Sequence, residues 1–295
     1  MIARRALIIG RTGQLARKLA EAATVQEWHV EHLDRSQIDL AETDQLHTKL
    51  KAVLDQRPGL TCVINTAAYT AVDRAESESA LAYQINAEAP GEIARTCALF
   101  DIPLIHISTD FVFDGNARSP YSEDAACSPR NVYGASKHAG EAAIIAARGR
   151  HIILRTAWLF SEYPGNFLTT MLRLGGERDR LKVVDDQIGS PTPSDALADA
   201  VFSLAIQLDK GAGAPQGIYH FAGETAMSWA GFARAIFAEA GINCEVESIT
   251  AKAFGAAAER PAYSVLATSK LQAETGIGPA DFKAGLARAI ARAKA

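Results

Sequence analysis

Three groups of residues carry chemistry-bearing types at an informative spacing. Gly10, Gly13 and Ala16 punctuate the segment Gly10-Arg-Thr-Gly-Gln-Leu-Ala16, which follows one apolar run and opens a helical one. Glycine at 10 permits a tight turn, and glycine at 13 lets backbone N–H groups approach a pyrophosphate at the positive end of a helix. This GxxGxxA pattern departs from the commoner GxGxxG, and a tight turn without a ligand is its other reading. Leu33-Asp34-Arg35 closes the next apolar run, roughly 20 residues beyond the glycines, where a ribose-reading residue belongs. An Asp there accepts from ribose hydroxyls, whereas an Arg pairs with a 2′-phosphate. Asp34 and Arg35 therefore leave NADH and NADPH both open, and a solvated charge pair at a strand end is the structural alternative.

The third group is Tyr133-Gly-Ala-Ser-Lys137, preceded by Ser108-Thr109 at the end of an apolar run. Residues i and i+4 share a helix face, so the phenol and the ammonium converge on one point. A lysine charge lowers the pKa of a nearby phenol and favours proton transfer to or from a substrate oxygen. A lone YxxxK is also a common helix-surface pair. The order of the three groups is more telling: glycine turn, strand-end hydroxyl, then YxxxK on the next long helix.

Elements that could position them are legible as alternation. Short apolar runs at 6–9, 29–33, 61–64, 103–108 and 152–154 read as buried parallel strands. Between them, 14–23, 43–54, 80–99 and 133–147 read as helices rich in Ala, Leu, Glu and Lys. This predicts an α/β chain with a Rossmann-like doubly wound parallel sheet. Beyond about residue 155 glycine and proline break the pattern into shorter pieces, read as a smaller α/β substrate-binding lobe. Residues 1–155 are assigned to dinucleotide binding, with about 186–222 returning to that half; 156–185 and 223–295 form the lobe. The stretch 211–217 reads as a surface loop, 228–240 as an amphipathic helix, and 281–293 as another that packs Phe282, Leu286 and Ile290 on the lobe.

Composition narrows the class. The chain has 295 residues, 48% hydrophobic and 22% charged, which fits a globular protein with a full core. A net charge of -4 offers no nucleic-acid surface and no basic membrane patch. Cys62, Cys97, Cys127 and Cys244 lie too far apart for a CxxC motif and read as reduced thiols of a cytoplasmic protein. Without HExxH or a His pair at ligand spacing, no metal is expected. No apolar run approaches the roughly 20 residues of a membrane span, and no signal peptide is expected. Trp28 and Trp229 read as packing or helix-start residues, His106 and His220 as core histidines, and Asp185-Asp186 as loop caps. Glu76, Glu78 and Glu123 read as solvated or helix-cap charge. Oligomeric state is open, a homodimer being one outcome.

The motif order resembles the extended short-chain dehydrogenase/reductase superfamily. Within it, the segments Asn65-Thr-Ala-Ala-Tyr-Thr-Ala-Val-Asp-Arg-Ala-Glu76, Ser108-Thr-Asp-Phe-Val-Phe-Asp-Gly115, Arg155-Thr-Ala-Trp-Leu-Phe160, Asp186-Gln-Ile-Gly-Ser-Pro-Thr192 and Arg260-Pro-Ala-Tyr-Ser-Val-Leu266 resemble the dTDP-4-dehydrorhamnose reductase family. The likeness runs nearly end to end. It implies reduction of the C4 keto group of a nucleotide-linked 4-keto-6-deoxy sugar, dTDP-4-dehydrorhamnose to dTDP-L-rhamnose, with hydride from NADPH or NADH.

The resemblance also implies roles. Gly13, Gln14 and Leu15, beside Gly10, would lie along the pyrophosphate, Asp34 near the ribose, and Asp39 and Leu40 near the adenine. Ala67, Ala68 and Tyr69 would pass beneath the cofactor. Tyr133 would donate the proton, Lys137 would act as its electrostatic partner and ribose anchor, and Thr109 with Asp110 would meet the substrate. Trp158 would line the sugar pocket, and Asn166 and Arg260 would meet the diphosphate, a contact suited to the planar guanidinium. Phe111 and Tyr263 depart from the family's usual Tyr and Asn. Phe111 also stands where a 4,6-dehydratase carries Glu, which argues against that chemistry. A 4-epimerase that retains its NAD and a non-catalytic regulatory subunit are the other readings left open.

Overall fold

The computed structural model describes residues 4–211 and 213–294. Six parallel strands form its central sheet: β1 Arg4–Ile9, β2 Trp28–Leu33, β3 Cys62–Asn65, β4 Leu104–Thr109, β5 His151–Thr156 and β6 Gly217–His220. Their order is β6-β5-β4-β3-β1-β2. The chain leaves β1 toward β2 on one side and then crosses to β3 on the other. The carboxyl ends of β1 and β3 therefore flank the switch point at which such sheets hold ligands.

The predicted doubly wound sheet is what the chain forms, and burial explains it. Leu7, Ile8, Val63, Ile64, Ile105, Ile152 and Leu154 are fully buried because helices cover both faces. Helices α1 Gln14–Val25 and α6 Ser194–Leu208 cover one face, bringing Leu15, Leu19, Leu197, Val201 and Phe202 onto β1, β3 and β5. On the other face lie α2 Thr43–Asp55, α3 Ala89–Leu99 and α4 Val132–Ala146. The expected helix 80–99 is interrupted: one π-helical turn, Gln84–Glu88, separates Ser79–Tyr83 from α3. Pro90, at the start of α3, has no N–H to offer the ladder of the preceding turn.

A separate apolar cluster joins α5 Phe167–Glu177, α7 Trp229–Ala240 and α8 Phe282–Ala293 through Phe160, Leu168, Phe232, Phe237, Phe282, Leu286 and Ile290. Strands Arg180–Val184 and Glu245–Ile249 pair in parallel beside it. Asn166, Ser228 and Asp281 cap α5, α7 and α8. The expected loop 211–217 needs adjusting at its end, because Gly217 already pairs with Ile152 in β6; its residue 212 lies outside the described residues. Among the described residues no helix is long and apolar enough to cross a membrane.

Candidate active site

The two glycines of the first turn answer to different demands. Gly10 has φ +111°, and a Cβ there would meet the Thr66 hydroxyl at 2.5 Å, so the protein itself requires glycine. Gly13, the residue preceding α1, has φ -66°, and a Cβ there would touch nothing within 4 Å. The fold gives no reason for glycine at 13; the open space above an uncapped helix start is the kind of cradle a dinucleotide phosphate fills. At the end of β2, Asp34 accepts from Ser36 N at 3.0 Å and from Arg11 Nη1 at 3.4 Å. The Ser36 hydrogen bonds hold its carboxyl below the usual range. Arg35 pairs with Asp39 at 2.9 Å and stays largely exposed, as does Arg11. Leu15 and Leu40 are buried core residues.

Thr109, Tyr133 and Lys137 are brought together by two close backbone approaches. Gly134 packs on the Phe111 carbonyl, where a Cβ would stand 2.1 Å away, and Gly140 packs on the Asn86 carbonyl, where it would stand 2.0 Å away. Helix α4 thereby sits directly on the turn Asp110–Val112, which follows Thr109 at the end of β4. Glu76 accepts from Val132 N at 2.8 Å and Asn131 from Gly134 N at 2.8 Å, fixing the start of α4. The Phe111 ring stands edge-on to the Tyr133 ring at 5.5 Å. Burial pushes the Tyr133 phenol up to about 12, against the opposing hydrogen bond of Thr109. Burial pushes Asp110 up to about 6, opposed by the Ser264 and Thr109 hydroxyls.

Lys137 is 1% exposed, and burial brings its ammonium down to about 8. Its Nζ lies 2.9 Å from His106 Nε2 and donates to the Ile107 carbonyl at 2.7 Å. One turn further along α4, Glu141 accepts from Ser108 Oγ at 2.5 Å and from Arg155 Nε and Nη2 at 2.8 and 2.6 Å. Burial raises Glu141, yet the Arg155 contacts win and bring it down to about 2. The loop Ala67–Ala68–Tyr69 is clamped to α4 by Asn86 of the π-helical turn. That side chain accepts from Tyr69 N at 2.8 Å and donates to Tyr69 O and Ser136 Oγ, both at 3.0 Å.

The side formed by the second apolar cluster is built around stacked indoles. The Trp158 and Trp229 rings lie parallel with centroids 3.4 Å apart. Trp158 holds φ +47° and lies so close to Gly189 that a Cβ there would stand 2.4 Å from the indole. Trp229 begins α7 as expected, and with Phe167, Met171, Gln187 and Arg260 it also lines a cavity of about 710 Å³, within the range of small-ligand pockets. Arg260 donates to Asp73 at 2.7 Å, while its Nη1 is buried without a partner. The neighbouring Glu259 carbonyl accepts from Asn131 at 2.7 Å, joining this cavity wall to the start of the Tyr133 helix.

Asn166 and Gln14 are tied up within the protein. Asn166 Nδ2 donates to Ser161 O and Tyr163 O at 2.9 and 2.7 Å while its Oδ1 caps α5. The Gln14 side chain donates to Leu159 O at 3.1 Å and accepts from Ser161 and Ser194 hydroxyls. Any pyrophosphate contact by Gln14 therefore falls to its backbone.

Sequence reasoning passed over Asn65, Asn86, Glu141 and Arg155 as supports of this site, although Asn65 and Arg155 stand inside quoted segments. It placed Glu123 among solvated or capping charges, but Glu123 is 9% exposed and accepts from His220 N. His106 is satisfied at both ring nitrogens, whereas His220 Nδ1 has no partner. Trp28 packs as expected, stacking on Phe202 at 4.8 Å. The fold also assembles Cys127, His138 and Glu141 with ligand-type atoms within 4.8 Å of one another. Arg155 holds both Glu141 and the Cys127 sulfur, the latter at 3.3 Å.

Comparison with known proteins points the same way. The family model described as RmlD substrate binding domain matches residues 4–295. The dTDP-4-dehydrorhamnose reductase of Aggregatibacter actinomycetemcomitans is 39% identical over 289 residues, covering 96% of this chain and 97% of that protein. The dTDP-4-dehydrorhamnose reductase of Bacillus anthracis, solved in complex with NADP, is 34% identical and superposes with a TM-score of 0.91 over 99% of this chain and all of that one. The corresponding enzyme of Clostridium acetobutylicum, 34% identical, superposes with a TM-score of 0.90 over the same shares.

Proposed function

The chain belongs to the dTDP-4-dehydrorhamnose reductase family, and we propose from that premise that it reduces the C4 keto group of dTDP-4-dehydrorhamnose to give dTDP-L-rhamnose, with NADPH or NADH as reductant. The observation that carries the site assignment is the gathering of Thr109, Tyr133 and Lys137 at the carboxyl end of β4, across β3 from the Gly10 turn. The comparisons favour this over a retained-NAD epimerase or a non-catalytic subunit, since relatives 39% and 34% identical over nearly the full length are named dTDP-4-dehydrorhamnose reductases.

The dinucleotide would lie over the turn at Gly13, its pyrophosphate on the N–H groups of Gln14 and Leu15, and its ribose at Asp34. When bound, it supplies the hydride. Arg11 and Arg35 offer exposed guanidinium groups at the same strand end, where a 2′-phosphate would be met. Ala67, Ala68 and Tyr69 form the floor. The sugar nucleotide would occupy the cavity walled by Trp229 and Arg260, whose planar guanidinium suits phosphate oxygens. Trp158 and Asp110 would border the sugar.

Tyr133 keeps its proton until the substrate oxygen acquires negative charge, because burial disfavours the phenolate. Thr109 and Tyr133 then stabilise charge where it develops, and the phenol proton moves to the alkoxide oxygen. We assign residues 1–155 and about 186–222 to the dinucleotide half, and 156–185 and 223–295 to the sugar lobe.

The test is nicotinamide oxidation with dTDP-4-dehydrorhamnose. Wild-type protein turns over, and Tyr133→Phe loses roughly 10²–10⁴-fold in rate while still binding cofactor. Full turnover by Tyr133→Phe would refute the assignment.

A further inference from the structure

The segment that brings Arg260 to the cavity has no regular structure of its own to hold it. Residues 256–261 lie in neither helix nor strand, so their backbone polar groups need partners elsewhere. One partner is Asp73, in the short helix Val72–Ala75. Its Oδ1 accepts from Ala258 N at 3.0 Å and its Oδ2 from Arg260 Nη2 at 2.7 Å. A single carboxylate thus grips both the backbone of the wall and the guanidinium that the wall presents. The Arg260 hydrogen bond holds that carboxyl below its ordinary range.

The same short helix reaches the start of α4. Three residues after Asp73, Glu76 accepts from Val132 N at 2.8 Å. Val132 is the first residue of α4, where an N–H has no partner within the helix, and Tyr133 follows it. The Glu259 carbonyl closes the triangle by accepting from Asn131 at 2.7 Å. The strut is itself braced, since Ala75 is fully buried and Tyr69 Oη donates to Glu78 at 2.6 Å. Of the flanking charges, Arg74 pairs with Glu78 and Glu259 with Arg130, which leaves Asp73 as the partner of Arg260.

We propose that Asp73 and Glu76 are positioning residues with separate duties: Asp73 presents the Arg260 guanidinium to a nucleoside diphosphate in the cavity, and Glu76 sets the start of α4 and so the reach of Tyr133. The identity of that ligand rests on the reductase reading. For Asp73, charge alone gives the opposite sign. A carboxylate near an anion site repels the anion, so its removal would tighten binding. Loss of positioning weakens binding instead, because an arginine set free must give up its rotamer freedom each time the ligand arrives.

The experiment is calorimetric titration of dTDP into the full chain saturated with NADPH, beside steady-state oxidation of NADPH with dTDP-4-dehydrorhamnose. Asp73→Asn keeps an acceptor for Ala258 N and loses the charge that holds Arg260. Its dissociation constant for dTDP, and KM with it, should rise about five- to tenfold, with kcat changed by less than about twofold. Arg260→Ala should weaken dTDP at least as much. Adding Asp73→Asn to it should weaken dTDP no further, as expected of one residue acting through the other. Glu76→Ala should lower kcat several-fold and leave the dTDP constant alone, and Glu76→Gln, which still offers an oxygen to Val132 N, should restore most of kcat. Tighter or unchanged dTDP binding in Asp73→Asn overturns the role of Asp73. So does an equal further loss in the Arg260→Ala background, which would make that role structural only. A Glu76→Ala protein with unchanged kcat, or one whose loss falls on dTDP affinity, overturns the separation of duties. Binding of dTDP without hydride transfer refutes the reductase reading and leaves the Asp73 result standing, whereas a wild-type protein that binds no dTDP overturns both.

Discussion

Replacing Glu141 by Gln keeps the volume of the side chain and removes its charge, leaving Arg155 buried without a counter-ion. Both partners are at most 2% exposed at their side chains, and the carboxylate takes two guanidinium hydrogen bonds and one from Ser108. Two routes to the magnitude agree. Breaking a buried pair by removing one partner costs roughly 3–5 kcal/mol. The descent of Glu141 from its ordinary 4.5 to about 2 corresponds to about 3 kcal/mol at about 1.4 kcal/mol per unit. Because its folded pKa is depressed, this stabilisation is complete above pH 4.5 and is lost as pH falls toward 2. Urea denaturation followed by circular dichroism at pH 7 should place Glu141→Gln about 3–5 kcal/mol below wild type, and the gap should narrow below pH 4.5 as the wild type loses its own carboxylate charge. The double variant Glu141→Leu with Arg155→Met should recover much of the loss, since apolar replacement of a buried pair is often neutral or better. A single variant within about 1 kcal/mol of wild type at pH 7, or a gap that does not change with pH, would refute this account of the pair.

The glycine turn offers a matched pair of substitutions. Gly13→Ala should leave thermal stability within about 0.5 kcal/mol of wild type yet weaken NADPH binding at least roughly tenfold by calorimetry, as its methyl enters the space assigned to the pyrophosphate; unchanged affinity would empty that cradle of meaning. Gly10→Ala should instead destabilise the fold by about 1–3 kcal/mol, through its φ of +111° and the Thr66 hydroxyl at 2.5 Å. Arg35→Ala should raise the dissociation constant for NADPH several-fold, on the order of 1 kcal/mol for an exposed charge pair, with little change for NADH; equal effects on both would remove Arg35 from the 2′-phosphate site.

Much of the central sheet is legible locally, because a buried parallel strand writes itself as a short apolar run and the first turn needs glycine for its own backbone. Helix α6 and strand β6 are not. Leu197, Ala198, Val201, Phe202, Leu204 and Ala205 are buried around most of the helix circumference, which erases the period that marks an amphipathic helix. Strand β6 has only four residues and follows a glycine-rich stretch. Thr109, Tyr133 and Lys137 were visible through order and spacing. Their supports were not, since Asn65 meets His106 across 41 residues, Asn86 meets Ser136 across 50 and Asn131 meets Glu259 across 128. Such contacts are products of strand adjacency and helix packing, and no local pattern encodes them. Glu123 shows the converse error: a carboxylate read as solvent-facing is buried because a backbone N–H of β6 needs an acceptor.

The stacked indoles divide the protein's light absorption by place. Of its three tryptophans, Trp28 sits in the core under the central sheet against Phe202, while Trp158 lies parallel to Trp229, which lines the cavity. With centroids 3.4 Å apart, the two indoles share one environment, apart from that of Trp28. A Trp28→Phe protein would therefore carry its entire indole signal in the stacked pair, of which Trp229 lines the cavity, turning intrinsic fluorescence into a label-free optical gauge of what fills that cavity. That gauge needs no coloured cofactor, so the filling of the cavity can be timed separately from dinucleotide exchange.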